Sequence, residues 1–85
     1  VNIPEASGID YCSNSDTFVV ANDEGSYYEI DEKGGILKQT KLGNHDFEGV
    51  VCLDDKFIFA VEDRGLMIVD RNTKKKKALA VNTTL

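Results

Sequence analysis

The chain has 85 residues, 41% hydrophobic and 29% charged, with one Pro, seven Gly and a net charge of −5. This is the composition of one small soluble globular domain rather than of a disordered tail. The acidic balance argues against nucleic acid, whose phosphates need clustered Lys and Arg, and no run approaches about 18 apolar residues, so no transmembrane segment is expected.

The chain opens at Val1, with no initiator Met and no charged segment leading into an apolar stretch. A mature product or a piece of something longer is expected. In chain order, alternation and β-branched or aromatic enrichment predict strands at Gly8–Cys12, Thr17–Asn22, Ser26–Asp31 and Ile36–Leu42. Four more are predicted at Glu48–Leu53, Phe57–Glu62, Gly65–Asp70 and Ala78–Asn82. Turn-formers separate them: SNSD, DEG, EKGG, DD, EDR and RNTKK. No stretch carries apolar residues at i, i+3, i+4 and i+7 over three turns, so the fold class is all-β. The basic run Lys74 to Lys77 reads as a solvated turn, with an anion patch as the sharper alternative. Asn82-Thr83-Thr84 fits the glycosylation tripeptide, a match frequent by chance.

Cys12 and Cys52 are too few for a disulfide framework, and no CxxC or nearby His suggests a metal site. Both lie in apolar β segments, so buried free thiols are expected. A bridge between them requires Cα atoms within about 7 Å.

The second half repeats the first. Gly8-Ile9 falls on Gly49-Val50 at an offset of 41, and FVVANDEGSYYEID falls on FIFAVEDRGLMIVD at an offset of 39. Four short strands per repeat, at a period near 40, predict two four-stranded antiparallel propeller blades, residues 1–43 and 44–85. Gly8 and Gly49 are expected where two backbones approach closely or φ is positive, and Tyr27, Tyr28 and Phe47 as packing residues. Two blades cannot close a propeller. The remaining blades of the same propeller, or further copies of the chain, are therefore the expected partners; three copies would make a six-bladed ring.

At EASGIDY, DEGSYYEID, DFEGVV and VEDRGLMIV the chain resembles the SdiA-regulated family of bacterial propeller proteins and, more distantly, phytase-like and esterase-like propellers. The resemblance covers residues 4 to 70. It implies a six-bladed propeller, exported, periplasmic or envelope-associated, with divalent metal binding as a recurring suggestion.

In a propeller blade the first strand runs along the channel, and the turn between strands two and three returns to the end where strand one began. Glu5, Asp46 and Glu48 then share a rim with Asp23, Glu24, Glu62 and Asp63, seven of the fifteen acids, opposed by Arg64 and His45. Crowded carboxylates need a bound cation, backbone N–H donors or pairing with Arg64. Glu5, Asp46 and Glu48 are thus candidate ligands of Ca²⁺, which suits oxygen donors without Cys. Asp23, Glu24, Glu62, Asp63 and Arg64 are candidate ligand-rim residues. His45 beside Asp46 is a candidate general base, against the plainer expectation of a loop anchor. The leading functional expectation is a binding propeller that holds a divalent cation, a small ligand or a partner at this rim. Alternatives are a metal-dependent phytase-like or lactonase-like hydrolase and a purely structural piece.

Overall fold

The computed structural model describes residues 3–62 and 65–79. They form two four-stranded antiparallel sheets, each a meander in which chain neighbours pair. The first contains β1 (Ala6–Cys12), β2 (Thr17–Asn22), β3 (Ser26–Ile30) and β4 (Ile36–Lys41). The second contains β5 (Phe47–Leu53), β6 (Lys56–Val61), β7 (Gly65–Asp70) and β8 (Lys76–Leu79). Among the described residues there is no helix, in keeping with the all-β expectation.

Side-chain hydrogen bonds at the turns explain where the strands stop. Asn22 is buried, and its Oδ1 accepts from the N–H groups of Glu24 (3.1 Å) and Ser26 (2.9 Å), closing the β2–β3 turn. Asp31 accepts from Lys33 (2.9 Å) and Gly35 (2.8 Å). Its counterpart Asp70 accepts from Asn72 and Thr73, both at 2.9 Å. Short polar side chains that imitate a backbone turn are the physical basis of all three. The Asn72 and Thr73 donors favour ionised Asp70 and hold its carboxyl below the usual carboxylate range.

Strand ends differ from expectation by one or two residues in β1, β3, β4, β5 and β6, and the start of β8 differs as well. Lys76 and Lys77 belong to β8 rather than to the preceding turn, and residues 80–82 of the expected strand lie outside the described residues. Every β8 side chain is exposed. Charged residues on such an edge strand discourage further pairing there, so a lysine run is compatible with strand geometry.

The sheets stack face to face, with β1 and β2 against β5. The seam between them is the main core. From the first sheet it takes Val19, Ala21 and Tyr27; from the second Val50, Phe57, Phe59, Met67 and Val69. Phe47 stacks on Phe59 at 4.5 Å between centroids, and Tyr27 meets Phe57 edge-on at 5.1 Å. Each fully buried aromatic of this kind contributes about 2–3 kcal/mol by burial alone. Tyr27 and Phe47 therefore pack in the core, and Tyr28 in a smaller cluster on the outer side of the first sheet.

Gly8 sets the closeness of the seam. A Cβ there would lie 2.9 Å from Gly49 Cα and 3.1 Å from Val50 N. The seam also carries polar ties. The Cys52 N–H donates to Asp10 Oδ2 at 2.7 Å. Arg71 Nη2 donates to Glu29 Oε1 at 2.8 Å, with both side chains mostly buried and the guanidinium lying over the Phe57 ring.

The cysteines depart from expectation. Cys12 is buried, as expected, but it is bonded to Cys52 across the seam, with a Cα–Cα distance of 5.4 Å. The cause is parity. Cys12 has its repeat counterpart at Leu53, and side chains in equivalent places point the same way around the stack. Cys52 falls one residue short, and a one-residue step in a strand reverses the face. The two thiols are thereby turned toward each other.

Candidate functional site

Meander geometry brings the β2–β3 turn back beside the start of β1. The Asp23 N–H donates to the Glu5 carbonyl at 3.0 Å, and in the second sheet the Glu62 N–H donates to the Asp46 carbonyl at 2.9 Å. The main-chain carbonyls of Glu5 and Asp46 thus fasten the two turns, which leaves their carboxylates uncommitted. Glu5 has φ of 55°, a left-handed conformation that costs a non-glycine residue about 1 kcal/mol.

β4 ends at the same end of the first sheet, and the link 42–46 crosses there to β5. The Leu42 N–H donates to the Gly25 carbonyl at 2.8 Å, which seats the link on the β2–β3 turn. Gly25 is indispensable at this crossing: its φ is 91°, and a Cβ would lie 1.8 Å from the Gly43 carbonyl oxygen. The link and the turn enclose a cleft of about 450 Å³, lined by Asp23, Glu24, Lys41, Asn44, His45 and Asp46. Three carboxylates face one ammonium and one imidazole.

Of the rim residues expected from sequence, Asp23, Glu24, His45 and Asp46 are brought together. Glu48 is exposed at the β5 bulge between Phe47 and Gly49, and Glu5 is exposed ahead of β1. Neither lines the cleft. Glu62 is exposed at the end of β6; Asp63 and Arg64 lie outside the described residues. Lys41 and Asn44 were not anticipated. The signal for Lys41 was available, since in a four-stranded meander the last strand ends where the first begins.

Among the described residues, the carboxylates of Glu5, Asp23, Glu24, Asp46 and Glu48 make no side-chain hydrogen bond or ion pair. Nor do any three of the described His, Cys, Asp and Glu side chains gather closely enough to hold a metal ion. Glu5, Asp46 and Glu48 are therefore not by themselves a calcium cage. The His45 ring stacks on Phe47, with centroids 5.7 Å apart and planes inclined by 17°. Its backbone N–H donates to the Gly43 carbonyl at 3.0 Å. No hydrogen bond joins the imidazole to Asp46 among the described residues.

The opposite end differs in character. A cleft of about 470 Å³ there is lined mostly by polar residues of turns and strand ends, Glu29 and Arg71 among them. Some of its charges are matched, Arg71 by Glu29 and Asp55 by Lys56, which lies 3.3 Å from Asp55 and 3.6 Å from Asp70. Beside it, Lys74 crowds Lys38 and lowers the Lys38 pKa.

A family model described as SdiA-regulated matches residues 3–84. No curated protein matches the chain.

Proposed function

Because the chain belongs to the SdiA-regulated family, we propose that it forms two adjacent blades of a β-propeller whose acidic end is a binding rim. One observation supports this most directly. Among the described residues the Asp23, Glu24 and Asp46 carboxylates line a single cleft without a side-chain hydrogen bond or ion pair, while at the other end of the sheets Arg71 pairs with Glu29 and Lys56 with Asp55 and Asp70. Unpaired carboxylates around a concavity favour a cationic ligand, and loops converging at one end of a sheet scaffold are the usual place for binding.

The occupant is a small organic cation or a cationic side chain of a partner. A Ca²⁺ ion fits only if carboxylates from further blades complete its shell, because the described residues assemble no cage. Binding is favoured over hydrolysis because His45 is engaged with Phe47 and is not linked to Asp46. The Cys12–Cys52 bridge supports residence in an oxidising compartment.

Nuclear magnetic resonance titration of the oxidised chain with arginine methyl ester, and separately with Ca²⁺, tests the proposal. Saturable shifts centred on Asp23, His45 and Asp46 are expected, weakening as ionic strength rises. They should disappear in Asp23→Asn/Asp46→Asn. Absence of saturable shifts with both probes, or shifts unchanged in that variant, would reject the rim as the site.

A further inference from the structure

The backbones of the two sheets approach most closely along β1, β2 and β5. Toward the third and fourth strands, long side chains bridge the gap between them. In register, Lys38 stands opposite Glu29 and Thr40 opposite Tyr27, so all four share the seam side of the first sheet. From the second sheet Arg71 reaches Glu29, Lys74 Nζ reaches Tyr27 Oη at 3.3 Å, and Lys76 Nζ reaches the Leu42 carbonyl at 3.0 Å. Four cations and the Glu29 carboxylate meet in this wedge, in a chain whose net charge is −5. Glu29 is taken up by Arg71. Among the described residues no carboxylate lies within ion-pair distance of Lys38, Lys74 or Lys76.

The two equivalent turns show what Lys74 adds. In the first sheet the Asp31 N–H donates to the Gly35 carbonyl at 2.9 Å, and the residue before the closing one, Gly34, is left-handed with φ of 86°. In the second the Asp70 N–H donates to the Lys75 carbonyl at 3.0 Å, across a turn one residue longer, and Lys74 holds the left-handed place with φ of 66°. Glycine takes this conformation freely, whereas a lysine takes it against the contact of its Cβ with the backbone. In return the turn gains an ammonium group that spans the gap to the Tyr27 hydroxyl and lies 5.7 Å from the centroid of that ring. There it meets Lys38, whose pKa the contact lowers. Two like charges held together, one of them at a conformational cost, make a place for an anion.

We propose that Lys38 and Lys74 grip a phosphate group in this wedge, with the Thr40 hydroxyl beside them as a further donor. Two ammonium groups match the charge of a phosphate or phosphomonoester dianion, whereas a carboxylate answers only one of them. Arg71 is committed to Glu29 and Lys76 to the Leu42 carbonyl, so the grip needs neither. The site is open to solvent at Lys38, which also lines the cleft of about 470 Å³, and that cleft has room for an organic group carrying the phosphate. Asp54 and Asp55 in the same lining disfavour a second negative group, which selects an ester with a single phosphate. The site uses other residues than the acidic rim and stands whether or not the rim binds a cation.

Heteronuclear magnetic resonance of the oxidised chain at low ionic strength tests the proposal, with inorganic phosphate and ethyl phosphate as probes and chloride at matched ionic strength as the control. Saturable shifts are expected at Lys38, Thr40 and Lys74. The Lys38 pKa, followed through the side-chain carbon next to its ammonium, should rise toward its ordinary value as the bound dianion offsets Lys74. Whichever probe binds more tightly assigns the site to the free ion or to an ester. Lys74→Gly should fold, since Gly34 already serves the equivalent turn, and should weaken binding by roughly tenfold or more. Lys38→Gln carries the same expectation should that variant misfold. Shifts that grow without saturation, as with chloride, overturn the proposal. So do saturable shifts that both variants retain, or a Lys38 pKa that saturating phosphate leaves in place.

Discussion

Gly8 and Gly49 hold equivalent places in the two sheets, yet a methyl group added to each would meet different surroundings. At Gly8 it would lie 2.9 Å from the Gly49 backbone; at Gly49 the nearest atom is a methyl carbon at 4.0 Å. The same contrast runs through the neighbouring positions. Cys12 is bonded across the seam while its counterpart Leu53 is open to solvent, and Val50 is buried while its counterpart Ile9 is not. A repeated sequence therefore repeats its local structure without repeating its environment. Each residue's energetic weight depends on whether a neighbouring sheet faces it.

The largest expected effect comes from the bridge. Cys12→Ser/Cys52→Ser, or reduction, releases a loop of sequence separation 40 and should lower stability by about 4 kcal/mol in the chain-entropy account. Urea unfolding of oxidised and reduced protein measures it, and a difference below about 1 kcal/mol would show that seam packing alone holds the sheets together. Next, Phe59→Ala should cost about 3–4 kcal/mol because it opens a cavity among Phe47, Tyr27 and Phe57. The matching change Val20→Ala, on the open side of the first sheet, should cost about 1–2 kcal/mol. Equal losses by thermal unfolding would erase the distinction between seam and outer face.

Smaller still, Gly8→Ala should destabilise by about 1–3 kcal/mol through overpacking. In the monomer Gly49→Ala should stay within about 0.5 kcal/mol of wild type. The smallest effect is one of pH. Asp70 has its carboxyl held below the ordinary value of 3.8, first by the backbone donors of Thr73 and Asn72. A depressed folded-state pKa stabilises above the unfolded value and is lost as pH falls through the folded one. Asp70→Asn should therefore be less stable than wild type at neutral pH, and the difference should vanish well below pH 3.8. Paired pH-dependent melts would show it; a gap that persists in acid would contradict this assignment.

Much of the fold was legible because local signals agree. Period-two alternation and the turns built on Asn22, Asp31 and Asp70 placed β2 and β7 without error and the other strands to within about two residues. The offset of 39 to 41 residues revealed the repeat. What stayed hidden depends on relations between distant segments. The disulfide required comparing Cys52 with the counterpart of Cys12 and noticing the one-residue slip, which reverses a side chain's face. At the site, turn parity was enough to group Asp23 and Glu24 with Asp46. It did not reveal that Glu5 and Asp46 would use carbonyl oxygens rather than carboxylates as fasteners. That choice is made by backbone geometry, which residue type does not encode.

The disulfide joins β1 and β5, each the first strand of its sheet, and the far edges β4 and β8 carry no covalent tie. The pair is bound as a book is bound, along one spine. Thermal motion that parts the pages is expected to open the fore-edge first, where the ties are non-covalent: Arg71 to Glu29, Lys74 Nζ to Tyr27 Oη and Lys76 Nζ to the Leu42 carbonyl. Any hinge in this protein therefore turns about the β1–β5 line, and changes in the angle between the sheets are read out at the far margin while the spine keeps its register.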